Sequence, residues 1–162
     1  MTDMIVRLYD LPPLGPALAA AAAAGVTVRA ARVFEQPRVV DFVRERFAVW
    51  VPEVEAAFHR VPVACFVAVR DAEVVGFAVH DVACRNFFGP TGVQEGERGK
   101  GVGRALLLAA LHAQRAQGYA YAIIGGVGPA DYYVRTVGAQ PIDGSTPGIY
   151  GDLLRPRDPS QS

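Results

Sequence analysis

Cysteine and lysine are both scarce in this chain, and long apolar runs are missing. Two cysteines in 162 residues, Cys65 and Cys84, are too few for a disulfide framework and fit a reducing cytosol. The longest apolar run, Leu18 to Ala24, is mostly alanine and too short to span a bilayer. His59 and His112 stand apart from other metal-ligating side chains, so no metal-site spacing is present. Sixteen basic and sixteen acidic residues cancel, with a pI near 6.8. That balance excludes a broad polyanion-binding surface and leaves room only for a local basic cluster. There is no internal repeat and no long linker. What remains is 51% hydrophobic and 20% charged, a composition that folds, in a length suited to one domain with a real core. Met1–Asp10 carries Asp3 and Asp10 among its apolar residues, unlike a signal peptide. The expectation is a soluble cytoplasmic protein that binds neither nucleic acid nor membrane.

Propensity and periodicity predict an α+β order. A weakly alternating Ile5–Leu11 precedes a helix over Ala17–Ala24 that Gly25 stops, and Val26–Phe34 reads as a strand. Pro37 and Pro52 each open a helix, with Val39, Val40, Val43 and Phe47 at helical spacing in the first. Ala64–Arg70 and Val74–Ala83 form a hairpin across Asp71-Ala72-Glu73. Asn86–Val93 is a third strand that Gly89-Pro90 interrupts, which implies a bulge or an edge. A helix then runs from about Val102 to Gln117, with Leu106, Leu107, Ala110 and Leu111 as its buried stripe. Tyr119–Val127 is a strand ending in Gly125-Gly126, and Pro129–Val137 a short helix. Ala139–Ile142 and Ile149–Leu154 are expected closing strands.

The only lysine, Lys100, sits in the densest glycine cluster, Arg98-Gly99-Lys100-Gly101-Val102-Gly103-Arg104. The cluster follows a strand and opens a helix. Glycines let a ligand approach the backbone closely, and a first helical turn offers unpaired N–H donors and a partial positive charge. With Arg98, Lys100 and Arg104 added, the segment suits a phosphate or pyrophosphate. A P-loop would need Gly-Lys-Ser/Thr, and Gly101 follows Lys100 instead. A dinucleotide site would need G-x-G-x-x-G and an acid about 20 residues on; neither is present, since no Asp or Glu lies between Gly99 and Val127. A bare glycine-rich cap is the remaining alternative, but three cations at a helix N-terminus oppose the macrodipole unless an anion compensates.

Arg98-x-x-Gly101-x-Gly103 resembles the acyl-CoA motif Arg/Gln-x-x-Gly-x-Gly/Ala of the GNAT acetyltransferase superfamily. Asp131-Tyr132-Tyr133 with Gly138-Ala139 resembles that family's later tyrosine helix, and the element order from Val26 onward is similar. The resemblance implies a mixed central β-sheet with helices on both faces and splayed central strands. It implies a domain over residues 26–155, with 1–25 an extension packed on it and 156–162 a frayed tail. It also implies acetyl-CoA as cosubstrate, its pyrophosphate on Arg98, Gly99, Lys100, Gly101, Val102, Gly103 and Arg104, and its pantetheine arm against Thr91 and Val93. The acyl group would pass to an amine of a small molecule or peptide, with Tyr133 protonating the leaving thiolate. No acid lies in Asn86–Val93 to serve as base. Asp81, beside His80, is the candidate carried forward, and Glu53, three residues after Trp50, could face the same cleft. Ser145 or Tyr150 could touch the acceptor from the loop Asp143–Tyr150. A non-catalytic acyl-CoA-binding or sensing module is the alternative function, and a homodimer is compatible with either.

Overall fold

The computed structural model describes residues 1–154. Its strands are β1 (Met4–Arg7), β2 (Thr27–Ala30), β3 (Cys65–Arg70), β4 (Glu73–His80), β5 (Phe87–Val93), β6 (Tyr121–Ile124) and β7 (Gln140–Pro141). The helices are α1 (Leu14–Ala23), α2 (Gln36–Arg46), α3 (Val51–Phe58), α4 (Val102–Ala116) and α5 (Ala130–Val137). One sheet takes all seven strands in the order β2-β3-β4-β5-β6-β1-β7. Every neighbouring pair is antiparallel except β5 and β6, which run parallel.

Side-chain alternation divides the core between the two faces of this sheet. On β4, Phe77 and Val79 pack with Phe42, Val43, Val54 and Phe58 of α2 and α3. Val75 and Ala78 face the other way, among Leu106, Leu107, Ala110 and Leu111 of α4, Ala17 and Ala21 of α1, and Tyr133 of α5. Helices thus cover both faces, as expected. The β3–β4 hairpin turns through Asp71 and Ala72, whose φ of 50° and 63° are those of a two-residue type I′ turn. Cys65 lies on the α2–α3 side, and burial pushes its thiol up to about 12, so it packs as a small apolar group.

Residues 1–25 are part of this architecture. β1 is inserted between β6 and β7, and Met4, Val6 and Leu8 are among the most buried side chains of the α4-side core. The family resemblance begins at Val26, so the sequence reading gives residues 1–25 as an extension packed on the domain. The expected strand Ile149–Leu154 does not form. Gly148–Tyr150 makes a single 3-10 turn instead, and Tyr150 packs onto the end of β6. Asp3 ties this loop down: its N–H donates to Ser145 Oγ at 2.8 Å, and its Oδ1 accepts the Gly126 N–H at 2.8 Å. Arg155 and the tail 156–162 lie outside the described residues.

The pairing between β5 and β6 is short. Phe87 pairs with Ile123 and Phe88 with Ile124, and there it stops, although β5 continues to Val93. The ladder between β4 and β5 shifts register between Ala78 and His80, opposite the Gly89-Pro90 interruption. Beyond the shift, Gln94 N–H donates to the Val75 carbonyl. Antiparallel hydrogen bonds alternate along a strand, so Gly92 faces β4 and Thr91 and Val93 turn their backbone groups away from it. Arg98 Nε donating to the Val93 carbonyl at 3.1 Å fits that orientation. The central strands are therefore splayed, and the amides of Thr91 and Val93 face the gap.

Leu8→Ala tests whether the first residues belong to the core. Leu8 is fully buried, and its truncation is expected to cost about 2–5 kcal/mol in urea unfolding. A loss below about 0.5 kcal/mol would return residues 1–25 to the status of a surface extension.

Candidate active site

A cavity of about 920 Å³ opens where β5 and β6 part. One wall is Gly89–Val93 of β5; the other is Ile124 and the glycines that follow it. From the α4 side come Arg98, Gly103, Leu107, Tyr132 and Tyr133, and from the α2–α3 side Phe47, Trp50 and Glu53. The loop held by Asp3 adds Thr146, Pro147 and Tyr150. The cavity therefore runs through the split sheet from one face to the other.

Absent side chains make this shape possible at two positions. A Cβ on Gly92 would lie 2.8 Å from Phe47 Cζ and 3.0 Å from Phe77 Cε1. Phe47 can reach across β5 only because Gly92 is bare, and it carries Trp50, stacked on it with centroids 5.4 Å apart. At Gly125 a Cβ would lie 2.5 Å from the Tyr150 hydroxyl and 3.1 Å from Phe87 Cε2. The glycine that ends β6 thus seats the ring of the C-terminal loop.

The glycine cluster forms the N-terminus of α4. Gly99 and Gly101 have φ of 75° and 82°, values that glycine adopts without strain, and no side chain caps the helix. Its first intrahelical bond is Ala105 N–H to the Gly101 carbonyl, which leaves the N–H groups of Val102, Gly103 and Arg104 without intrahelical partners. Val102 contributes only backbone here, since its side chain is buried in the core. The positive charge is less free than the sequence suggests. Lys100 Nζ lies 3.3 Å from Glu97 Oε2, and Glu97 is held by Arg70 through two bonds of 2.9 and 2.8 Å. The Arg70 guanidinium beside it lowers the Glu97 carboxyl below its ordinary range. Among the described residues Arg98 and Arg104 form no ion pair with a carboxylate.

Tyr133 lines the cavity from α5, with its ring edge-on to Phe88 and Tyr132. Burial, with a smaller contribution from Tyr132, pushes its phenol up to about 12, so it carries its proton throughout the neutral range. Asp81 is not brought to the cavity. It sits in the β4–β5 turn with φ of 57°, accepting from Asn86 N–H at 2.7 Å and Gln117 Nε2 at 3.4 Å, and meeting His80 Nδ1 at 2.6 Å. Burial raises its carboxyl, but the His80 ring and the Asn86 amide outweigh burial and hold it below the ordinary value. Its carboxylate oxygens are engaged within the turn, and it is not among the residues that line the cavity. Ser145 is likewise occupied, by Asp3 N–H and the Ile142 carbonyl. Tyr150 and Glu53 do reach the cavity, and Glu53 is its only acidic side chain among the described residues. Sequence reasoning missed Phe47 as a wall and Asp3 as the clasp. Phe47 reads as the last apolar position of a helix, and Asp3 depends on partners more than 120 residues away.

With this geometry in view, likeness to other proteins becomes informative. The sequence profile of the acetyltransferase (GNAT) family matches residues 31–133, well over half of the chain. The chain belongs to the GNAT family. Among solved structures, it resembles the GCN5-related glucosamine N-acetyltransferase region of a fungal multi-domain GH3 β-N-acetylglucosaminidase. That match has a TM-score of 0.72 and 15% identity over 87% of this chain and 19% of that one. It also resembles a GCN5-related N-acetyltransferase from Sphaerobacter thermophilus, with TM-score 0.65 and 18% identity over 87% and 48% of the two chains. A third, from Kribbella flavida, has TM-score 0.54 and 19% identity over 86% and 53%. This GNAT chain spans from a fifth to about half the length of those relatives. No curated protein matches it. Among the described residues no helix is long and apolar enough to cross a membrane, and no group of His, Cys, Asp and Glu could hold a metal ion.

Gly92→Ala is expected to displace Phe47 and with it the only tryptophan of the chain, Trp50. Overpacking of this kind costs about 1–3 kcal/mol. Intrinsic fluorescence should shift in the folded variant. An unchanged spectrum and stability would mean that Phe47 does not depend on the bare backbone of Gly92.

Proposed function

We propose that the chain is an acetyl-CoA-dependent N-acetyltransferase that moves the acetyl group to an amine of a small molecule or peptide. The observation that carries this reading is the parting of β5 and β6 beside the uncapped N-terminus of α4. It supplies an anion cradle at one end and strand amides without partners along the way. The residues present fit the cosubstrate. The N–H groups of Val102, Gly103 and Arg104, with the glycines before them, would take the pyrophosphate, and Arg98, Lys100 and Arg104 would neutralise it. Backbone groups of Thr91 and Val93 would hold the pantetheine arm, which needs paired amides once it leaves water. The Val93 N–H, turned toward the gap, would donate to the acyl oxygen as it gathers charge.

Acetyl-CoA supplies a thioester; what the chain adds is orientation and proton control. Tyr133 would present its hydroxyl to the departing sulfur. A phenol near 12 facing a free thiol pair near 8.5 makes full proton transfer uphill by roughly 5 kcal/mol in isolation. The burial that raises Tyr133 also raises a thiolate placed in the same cavity, which narrows that gap. Its raised value keeps the hydroxyl a donor rather than a phenolate, so no second negative charge opposes the leaving group.

CoA should raise the melting temperature in proportion to dose, by the equivalent of roughly 2.7 kcal/mol at a hundredfold excess over Kd, and NAD should do much less. The Cβ of a residue replacing Gly103 meets only ordinary contacts, Val93 Cγ2 at 3.7 Å and the Tyr132 hydroxyl at 3.8 Å. Gly103→Val should therefore fold and lose the CoA shift, while Arg98→Ala should weaken CoA by about 1–3 kcal/mol. An undiminished CoA shift in both variants would remove the anion site from this helix.

Tyr133→Phe keeps the ring and its packing. Thiol release from acetyl-CoA with an accepted amine should fall about 10²–10³-fold, with CoA affinity nearly unchanged. Full activity in this variant would assign the proton to water or to another group. CoA binding without turnover of any amine would support an acyl-CoA-binding module instead.

A further inference from the structure

The two ends of the cavity differ in chemistry, and the difference bears on the acceptor. Arg98 is the only cationic side chain among its described lining residues, and it stands on the α4 side, bonded to the Val93 carbonyl. On the α2–α3 side the lining is mostly aromatic and aliphatic, with Phe47, Trp50, Phe87, Pro147 and Tyr150, and Thr146 adds a hydroxyl. Into this half projects one carboxylate, Glu53, half-buried on the first turn of α3. Among the described residues no Lys, Arg or His pairs with Glu53; Glu55 and Glu95 also lack such a partner, but of the three only Glu53 lines the cavity. The Tyr150 phenol is raised by burial, with smaller contributions from the charges of Asp3, Cys84 and Glu53, which puts the Glu53 charge within electrostatic reach of that ring.

We infer that the acceptor is a primary monoamine on an apolar or aromatic body, with its ammonium held by Glu53 between the Trp50 and Tyr150 rings. This inference rests on the acetyltransferase reading and adds the substrate class. An ammonium is matched by one carboxylate and by ring faces, which attract cations. A polyamine or aminoglycoside would bring several charges into a half-cavity that offers one. A free amino acid would bring a carboxylate against aromatic walls with no cationic side chain to meet it, and burying it unpaired is costly.

Glu53 would also remove the proton that blocks attack. The bound ammonium gives one proton to the Glu53 carboxylate, and the freed nitrogen lone pair attacks the thioester carbonyl carbon. The C–N bond forms, the C–S bond breaks, and the sulfur leaves with the bonding pair and takes a proton from Tyr133. The nitrogen sheds its second proton to water, which also restores Tyr133 and Glu53. The balance is one ammonium and one acetyl thioester giving one amide, one thiol and one proton.

The test uses the full chain, acetyl-CoA and three amines, 2-phenylethylamine, phenylalanine and spermidine, read by thiol release. Each is assayed beside the melting shift produced by CoA alone. Phenylalanine differs from 2-phenylethylamine by one carboxylate, and spermidine carries several charges without a ring. We expect kcat/KM for 2-phenylethylamine to exceed that of the other two by at least tenfold. Glu53→Gln, an isosteric change at a half-exposed position, should lower it about 10- to 100-fold, the range for a lost charged hydrogen bond. Glu53→Asp should recover part of the loss, and the CoA melting shift should be the same in all three proteins. A preference for phenylalanine or spermidine overturns the acceptor class, as does full activity in Glu53→Gln. A normal CoA shift with no turnover of any of the three overturns it too, and leaves CoA binding standing. Absence of the CoA shift overturns the acetyltransferase reading and the acceptor class with it.

Discussion

Two parallel strands that pair for only two residues set the plan of this protein. Had β5 and β6 continued as neighbours, the backbone of Thr91 and Val93 would be spent inside the sheet, and no cavity would cross it. The separation is held open from both sides. Gly89-Pro90 breaks the run of β5, and the register shift against β4 accompanies that break. Gly125 and Gly126 follow β6, where the Gly126 N–H donates to the Asp3 carboxylate and the Tyr150 ring lies against the bare face of Gly125. Buried helices on both faces supply the stability that the missing ladder does not.

Position along the cavity then sorts chemistry. The α4 side offers backbone donors and arginine, a setting for phosphate. The α3 side offers rings and one carboxylate, a setting for an amine. Tyr133 stands between them on α5, where burial keeps its proton in place. In the proposed reading the sheet would separate cosubstrate from acceptor, and the gap in it is where the two would meet.

Much of this was legible in the sequence, and the reason is physical. The glycine cluster at Arg98–Arg104, the β3–β4 turn at Asp71-Ala72 and the break at Gly89-Pro90 are local, because each states its backbone geometry in adjacent residues. The helices over α2, α3 and α4 declare themselves by apolar spacing. The similar order of elements along the chain from Val26 onward, and with it a mixed central sheet with helices on both faces, followed from the family resemblance. What could not be read was carried by distant partners. β1 is four residues long and acquires its meaning from β6 and β7, more than 110 residues away. Asp81 looked like a base because it lies at a strand end near the cleft, yet its hydrogen bonds turn it inward to Asn86 and Gln117. Ile149–Leu154 has strand-like residues, but Gly148–Tyr150 closes into a 3-10 turn and the segment joins no strand of the sheet.

Amide hydrogen exchange, followed residue by residue with and without CoA, tests the central claim most directly. The N–H groups of Thr91 and Val93 and those of Val102, Gly103 and Arg104 have no ladder or helix partner assigned to them in this fold, so they should exchange readily in the free protein. Saturating CoA should slow all five together, with little change at Gly92, which already faces β4. Protection confined to other parts of the chain, or no protection at Thr91 and Val93 at saturating CoA, would contradict the account.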